Sequence, residues 1–124
     1  MIAVDSSSLI AFLDGDVGRD VEAIDGILGQ KQLILPPVVL SELLSDPILP
    51  LAVRILLRDL PLLVITAGYW ERAGLLRQRL LAKKLKARLA DALIAQVCID
   101  NGTELITRDA DFRHYVTAGL KLHR

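Results

Sequence analysis

Residues 89–112 read LADALIAQVCIDNGTELITRDADF, and this stretch contains a helix, a strand and an acidic turn in succession. Its first part is apolar at helical spacing, and the Asn-Gly pair at 101–102 predicts the end of the helix. TELI (103–106) then predicts a buried strand, which Asp109 and Asp111 follow closely. Ligands of α/β folds collect where a parallel strand passes into the next helix. The stretch therefore predicts an α/β fold with acidic residues at the place where a site is expected.

The same alternation of short apolar runs and helical patterns extends towards both ends of the chain. The predicted strands are 2–5, 33–35, 62–65, 103–106 and 120–123. The predicted helices are 6–13, 16–30, 38–45, 48–60, 87–100 and 109–116, with a further helix capped by Thr66. Strands that alternate with helices predict a single domain over residues 1–124 of the α/β class. We expect a three-layer sandwich, in which helices flank a mainly parallel central sheet.

The composition limits the location and the surface of the protein. Of the 124 residues, 52% are apolar and 25 are leucine, more than one small core can hide. The excess predicts a dimer or partner surface, chiefly in ILPLAVRILLRDL (48–60). No apolar run, including 60–65, is long enough to cross a bilayer, so we expect no membrane association. The chain opens on MIAVD without a basic leader and has one cysteine, Cys98, which together predict a reducing, cytoplasmic location.

The net charge is zero, but its distribution along the chain is uneven. Six acids face only Arg19 before residue 30, whereas seven cations accompany only Glu71 between residues 60 and 90. If one helix continues through residues 72–86, four of these cations lie on one face at steps of seven, four and three. A solvated helix face is one interpretation, and an RNA-binding face is the other. The four residues are Arg72, Arg79, Lys83 and Lys86.

Four acidic residues occupy places where strands pass into helices. Asp5 ends the first strand, Glu42 lies on the helix after the second, Asp91 opens a helix and Asp109 follows the fourth strand. Each has a plain structural interpretation as a helix cap, a partner of a helix dipole or a solvated acid. Together they would form a carboxylate cluster that needs a multivalent cation. Oxygen ligands without histidine or thiolate favour Mg²⁺ or Mn²⁺ over zinc.

These residues lie in segments that resemble a known family. VDSSSLI near the start, LSELL, residues 89–112 and the closing GLKLH look like the PIN domain, and in particular the small VapC-like toxin ribonucleases. The similarity spans nearly the whole chain, and the acid order Asp, Glu, Asp, Asp is that of the family.

The resemblance implies a catalytic metal site formed by Asp5, Glu42, Asp91 and Asp109, with Mg²⁺ or Mn²⁺ as the cofactor. It also implies an endoribonuclease that leaves a 5′-phosphate, a homodimer, and inhibition by a small cognate antitoxin protein. Three further residues match polar positions that orient ligands or the scissile phosphate without binding the metal directly: Asp111, Thr107 and Ser7.

Two other classes of protein compete with this interpretation. A phospho-acceptor receiver domain would need adjacent acids after the first strand and an aspartate after the third, which IAVDSSS and LLVITAG lack. A non-catalytic PIN-like module that binds a protein through its leucine-rich surface is the remaining alternative. No acid of the catalytic set is missing, which favours the enzyme.

Overall fold

The computed structural model describes residues 1–124, with three short parallel strands at its centre: β1 (Ile2–Val4), β2 (Leu33–Ile34) and β3 (Leu105–Ile106). Their order in the sheet is β2-β1-β3, so the first strand of the chain lies between the other two. Ala3 in β1 is fully buried, as expected for a parallel sheet flanked by helices. The predicted α/β class is confirmed. The carboxyl ends of all three strands lie along one edge of the sheet.

Beyond β2 the sheet is extended by a single bridged residue, so the predicted strand 62–65 is too long. Leu35 donates its N–H to the carbonyl of Pro61 and accepts a hydrogen bond from the N–H of Leu63, both at 2.9 Å. The next bonds of a parallel ladder would need N–H groups on Pro37 and Pro61, and proline has none. The two prolines therefore stop the ladder on either side of this pair.

The predicted terminal strand 120–123 is likewise reduced to one bridge, between Leu122 and Leu105. The N–H of Leu105 donates to the carbonyl of Lys121, and the N–H of His123 donates to the carbonyl of Leu105, both at 2.9 Å. β3 ends at Ile106, one residue after Leu105, and the turn that carries the acidic residues follows. The pairing with the terminal segment therefore ends at this bridge.

Six α-helices and one 3₁₀ helix surround the sheet, and every predicted helical segment is present. They are α1 (Ser6–Leu13), α2 (Arg19–Gly29), α3 (Pro37–Leu44), α4 (Leu51–Asp59), α5 (Tyr69–Ala82), α6 (Leu89–Asn101) and the 3₁₀ helix Ala110–Ala118. Their apolar stripes meet in one core of 24 buried residues, which includes Cys98. Burial raises the pKa of the Cys98 thiol to about 12, so this side chain acts as a small hydrophobe. No helix has the length and apolar character needed to cross a membrane.

Two helices begin three residues later than the periodicity predicts. α4 begins at Leu51 because Pro50 before it has an extended ψ of 145°. α2 begins at Arg19 after Gly18, whose φ of 150° is a conformation that side chains with a Cβ rarely adopt.

α5 is preceded by Gly68 at a φ of 81°, and Thr66 does not cap it. The Thr66 hydroxyl instead accepts a hydrogen bond from Arg72 at 2.9 Å and lies 3.5 Å from the carboxylate of Asp100. The predicted cap is wrong because this hydroxyl joins an ion pair between two helices.

α5 ends at Ala82 in a turn that reverses the chain. Lys84 has a left-handed φ of 61°. Its N–H donates to the carbonyl of Leu81 at 2.9 Å, and the N–H of Leu85 donates to the carbonyl of Leu80 at 3.0 Å. This pair of bonds is the Schellman arrangement, which closes a helix. The continuous basic helix assumed from the charge pattern is therefore wrong.

Candidate active site

Four acidic side chains lie on four different elements, three of which follow a strand. Asp5 comes directly after β1 and caps α1, and Asp109 comes after β3 and caps the 3₁₀ helix. Because β1 and β3 are parallel neighbours, both lie at the same edge of the sheet. Glu42 lies in α3, the helix after β2, and Asp91 lies in the first turn of α6.

Asp5 is the most enclosed of these acids, with 3% of its surface exposed. One carboxylate oxygen accepts from the Ser8 N–H at 3.0 Å and the other from the Thr107 hydroxyl at 2.5 Å. The Ser7 hydroxyl lies 2.9 Å from both oxygens. A hydroxyl donates one proton, so only one of the two Ser7 contacts is a full hydrogen bond, and one lone pair of the carboxylate stays free.

Burial raises the pKa of Asp5, and the charge of Asp109 adds to this effect. The hydrogen bonds from Thr107, Ser8 and Ser7 act in the opposite direction, because they favour the charged form. The site therefore holds a buried carboxylate through three donors of the chain.

Asp91 is half-buried, and its pKa is raised to about 6. Burial is the largest cause, the charge of Asp109 comes next, and Asp5 and Glu42 add to it, while Arg88 opposes them. The charges of all three other acids thus raise the pKa of Asp91, so the four carboxylates lie near one another. No side chain or backbone group donates a hydrogen bond to its carboxylate.

Thr107 connects two of the acids. Its hydroxyl donates to Asp5 and accepts from the backbone N–H of Asp109 at 3.0 Å. Asp109 in turn accepts from the N–H of Asp111 at 2.9 Å. The exposed Glu42 accepts from the Ser6 hydroxyl at 2.6 Å, which links α3 to α1.

The carboxylate of Asp111 points to a cation and not to the other acids. It forms an ion pair with Lys86 at 3.4 Å. The next residue, Phe112, is 1% exposed and anchors the turn in the core. Asp111 thus holds the turn through its backbone and Lys86 through its side chain.

The chemistry of this cluster fits a divalent cation with oxygen ligands. Asp91 has no protein donor, and Asp109 and Glu42 each use only one oxygen in the bonds above. No three His, Cys, Asp or Glu side chains are grouped tightly enough in this structure to hold one ion together.

An ion pair next to the cluster was not found from the sequence. Arg108, between Thr107 and Asp109 in the chain, donates to both oxygens of Asp20 at 2.7 and 3.1 Å. The Ser8 hydroxyl donates to the same carboxylate at 2.8 Å. The Arg108 hydrogen bond is the main cause that lowers the pKa of Asp20 to about 2. The surplus of acidic residues before residue 30 was a sign of such an ion pair, but no local sequence pattern identified Arg108 as the partner of Asp20.

The structure does not bring the four predicted RNA-binding cations onto one helix face. Arg72 donates to both oxygens of Asp100 at 3.1 and 2.7 Å, so it ties α5 to α6. Arg79 and Lys83 are exposed at the end of α5. Lys86 lies after the helix and pairs with the acidic turn, which separates it from the others.

The family model of the PIN domain matches residues 2–117 of the chain. Among solved structures, a chain of the crystal structure of VapBC2 from Rickettsia felis bound to a DNA fragment from their promoter is similar, with a TM-score of 0.75 and 22% sequence identity. The similarity covers 99% of this chain and 98% of that chain, and at this identity it shows a shared fold. No curated protein matches the sequence.

Proposed function

The chain belongs to the PIN domain family, and from this premise we propose that it is a Mg²⁺- or Mn²⁺-dependent endoribonuclease, the toxin of a type II toxin–antitoxin pair. Family membership supports a nuclease at the level of reaction class. The four carboxylates support the metal dependence, and the cations beside them support a nucleic acid substrate.

The observation that carries the proposal is the electrostatic state of Asp91. Three other acids act on this carboxylate, no hydrogen bond stabilises it, and only Arg88 opposes the repulsion. The repulsion disfavours the ionised form of Asp91, and a ligand that neutralises the cluster is the simplest explanation of such an arrangement. The absence of histidine and cysteine from the cluster favours a hard cation.

The bound ion would supply a water of lowered pKa and a positive charge for the scissile phosphate. The residues of the chain itself position the carboxylates that would bind this ion. Ser7, Ser8 and Thr107 orient the Asp5 side chain and favour its charged form, and Thr107 also connects it to Asp109. The unpartnered Asp91 carboxylate is free to bind a cation at neutral pH, above its raised pKa.

We infer that the substrate phosphates follow the path from the end of α5 to the acidic turn. Arg79 and Lys83 are exposed and take part in no ion pair, and Lys86 lies against Asp111. Cations on one side of an acidic site would attract a nucleic acid, and the release of its bound counterions would favour binding. Arg72 is not part of this path, because its guanidinium already forms an ion pair with Asp100.

A protein partner is supported by the apolar surface of α4 and the turn before it. Ile48, Leu51 and Ile55 are 83%, 67% and 51% exposed. A groove of about 270 Å³ lies along the same segment, where it is lined by Leu49, Pro50 and Val53, and its lining also includes Glu42. We propose that this surface binds the cognate antitoxin or a second copy of the chain, since apolar patches of this kind mark interfaces.

The test is cleavage of a panel of end-labelled RNA oligonucleotides, with DNA of the same sequences, in Mg²⁺, Mn²⁺ or EDTA. We expect RNA cleavage that needs a divalent ion and is lost in Asp109→Asn. Asp46→Asn is the matched control, because Asp46 also accepts a backbone N–H two residues ahead, from Ile48 at 3.0 Å, but lies outside the cluster. Cleavage that persists in EDTA, or that Asp46→Asn abolishes equally, contradicts the proposal.

A further inference from the structure

The hydroxyl of Tyr115 is the one buried side-chain polar atom in the structure without a hydrogen-bond partner. The residue is fully enclosed, with 0% of its surface exposed. Buried polar atoms are almost always hydrogen-bonded, because an unused donor loses its bonds to water and gains none in return. An enclosed and unused hydroxyl therefore calls for a specific role.

The helix that carries this hydroxyl lies next to the elements that carry the carboxylate cluster. Tyr115 lies in the 3₁₀ helix that Asp109 caps, and this helix packs against α6, which carries Asp91 in its first turn. Its ring lies 5.9 Å from that of Phe112, which holds it in the core.

The titration of the phenol agrees with this location. Burial raises the pKa of Tyr115 to about 12, and among the charged groups around it Asp91 acts most strongly. Asp111 and Asp109 act in the same direction, and Arg77 acts against them. The hydroxyl is therefore a neutral donor at physiological pH.

Tyr69, the only other tyrosine, provides the comparison. It is also buried, and burial raises its pKa to about 12 as well. Its hydroxyl, however, donates to the carbonyl of Leu93 at 2.7 Å. Tyr69 thus has a complete structural role, whereas the donor of Tyr115 is unused.

We propose that Tyr115 is a positioning residue for Asp91: its hydroxyl donates to the Asp91 carboxylate when that carboxylate holds a divalent cation. The inference rests on the proposed function, because it assumes that Asp91 is a metal ligand. Neutralisation of the cluster removes the repulsion between the acids, and the hydrogen bond then orients one oxygen of Asp91 towards the ion. Donors behind a metal ligand commonly have this effect on orientation and affinity.

The experiment compares Tyr115→Phe with Tyr69→Phe in two measurements, the melting temperature of the metal-free protein and the affinity for Mn²⁺ by calorimetry. Tyr115→Phe removes only an unused hydroxyl, so its melting temperature should stay equal or rise, while Mn²⁺ binding weakens by roughly 10-fold. Tyr69→Phe removes a formed hydrogen bond, so its melting temperature should fall with Mn²⁺ affinity unchanged. A merely structural Tyr115 would leave Mn²⁺ affinity at the wild-type value, and that result overturns the inference.

A double variant and a fluorine label distinguish failure of the Tyr115 inference from failure of the proposed metal site. In Asp91→Asn, adding Tyr115→Phe should have no further effect on Mn²⁺ binding; a full additional loss contradicts action through Asp91. In Tyr69→Phe labelled with 3-fluorotyrosine, the single fluorine signal reports Tyr115 and should shift on addition of Mg²⁺, whereas a stationary signal overturns the inference. If wild-type protein binds no Mn²⁺, the proposed function fails and this inference with it. If wild type binds and Tyr115→Phe binds equally, only this inference fails.

Discussion

At the scale of single residues, the site combines acids that the chain stabilises with acids that it leaves uncompensated. Asp5 receives donors from Ser7, Ser8 and Thr107, although it is nearly fully buried. Asp91 receives none, and its pKa is about 6. The first arrangement holds a ligand in place, and the second leaves a carboxylate whose repulsion a cation can relieve.

Replacement of Asp91 by asparagine separates a catalytic role from a structural one. Asparagine keeps the shape of the side chain but removes the charge. We expect RNA cleavage to fall by about 100-fold or more, the order of effect seen when an electrostatic contact is lost from an active site. The metal-free variant should melt at or above the wild-type temperature, because the ionised Asp91 is disfavoured in the fold.

The rise in melting temperature on adding Mg²⁺ should also shrink in Asp91→Asn, as measured by calorimetry at constant ionic strength. Glu71→Gln is the control, since Glu71 occupies the first turn of α5 as Asp91 does that of α6. An active Asp91→Asn protein with a normal response to Mg²⁺ would remove Asp91 from the site.

The ion pair of Asp20 with Arg108 predicts a pH dependence of stability. The pKa of Asp20 is lowered from 3.8 to about 2, mainly by Arg108, so the folded state binds the proton less readily than the unfolded chain. The stabilisation is therefore complete above about pH 4 and is lost as the pH falls towards 2. Denaturant unfolding of wild type and Asp20→Asn at several pH values should show a difference that shrinks over this interval. A difference that is constant from pH 5 to pH 2 would contradict the assignment.

At the scale of secondary structure elements, a left-handed residue decides where the basic helix ends. Lys84 has a φ of 61° although it carries a side chain. The two hydrogen bonds of the Schellman arrangement and the apolar pair Leu80 and Leu85 maintain this conformation. Their combined effect directs Lys86 to Asp111 at the site and away from the face of α5.

Substitution of Lys84 by glycine should stabilise the protein by about 1 kcal/mol, because glycine adopts left-handed angles without the steric penalty of a Cβ. Lys83→Gly is the matched control. It removes the same charge one residue earlier, where φ is −87°, and should not stabilise. Urea unfolding of the two variants measures the difference, and equal stability of both would show that φ at residue 84 is not the cause.

At the scale of the whole molecule, the fold leaves one side of α4 uncovered. Leu57 faces the core with 1% of its surface exposed, whereas Leu51 and Ile55 on the opposite side are more than half exposed. The expectation of an exposed flank in this segment is confirmed.

Ile55→Glu should therefore shift the protein towards monomer or abolish antitoxin binding, because a charge on the uncovered flank opposes burial. Val17→Glu is the control, since Val17 is 89% exposed but lies in the loop before α2. Sedimentation of both variants, with and without the antitoxin, measures the effect. Identical behaviour of wild type and Ile55→Glu in both conditions would exclude the flank from the interface.

Features of the fold that depend on local pattern could be predicted from the amino-acid sequence. Apolar periodicity predicted every helical segment and the positions of the three paired strands, since the pattern itself is set by residues close together in the chain. The order of strands and helices was enough to assign the α/β class, and with it the strand ends where the acids were to be sought.

Other features depend on which distant groups meet, and these became visible in the folded structure. Arg72 is not part of the proposed RNA-binding surface, because its guanidinium binds Asp100 on another helix. Arg108 binds Asp20, which lies 88 positions earlier in the chain. The unused hydroxyl of Tyr115 is likewise visible only when its whole surroundings are known. Hydrogen bonds and ion pairs act over a few ångströms of space irrespective of separation along the chain, so local sequence patterns do not reveal these partners.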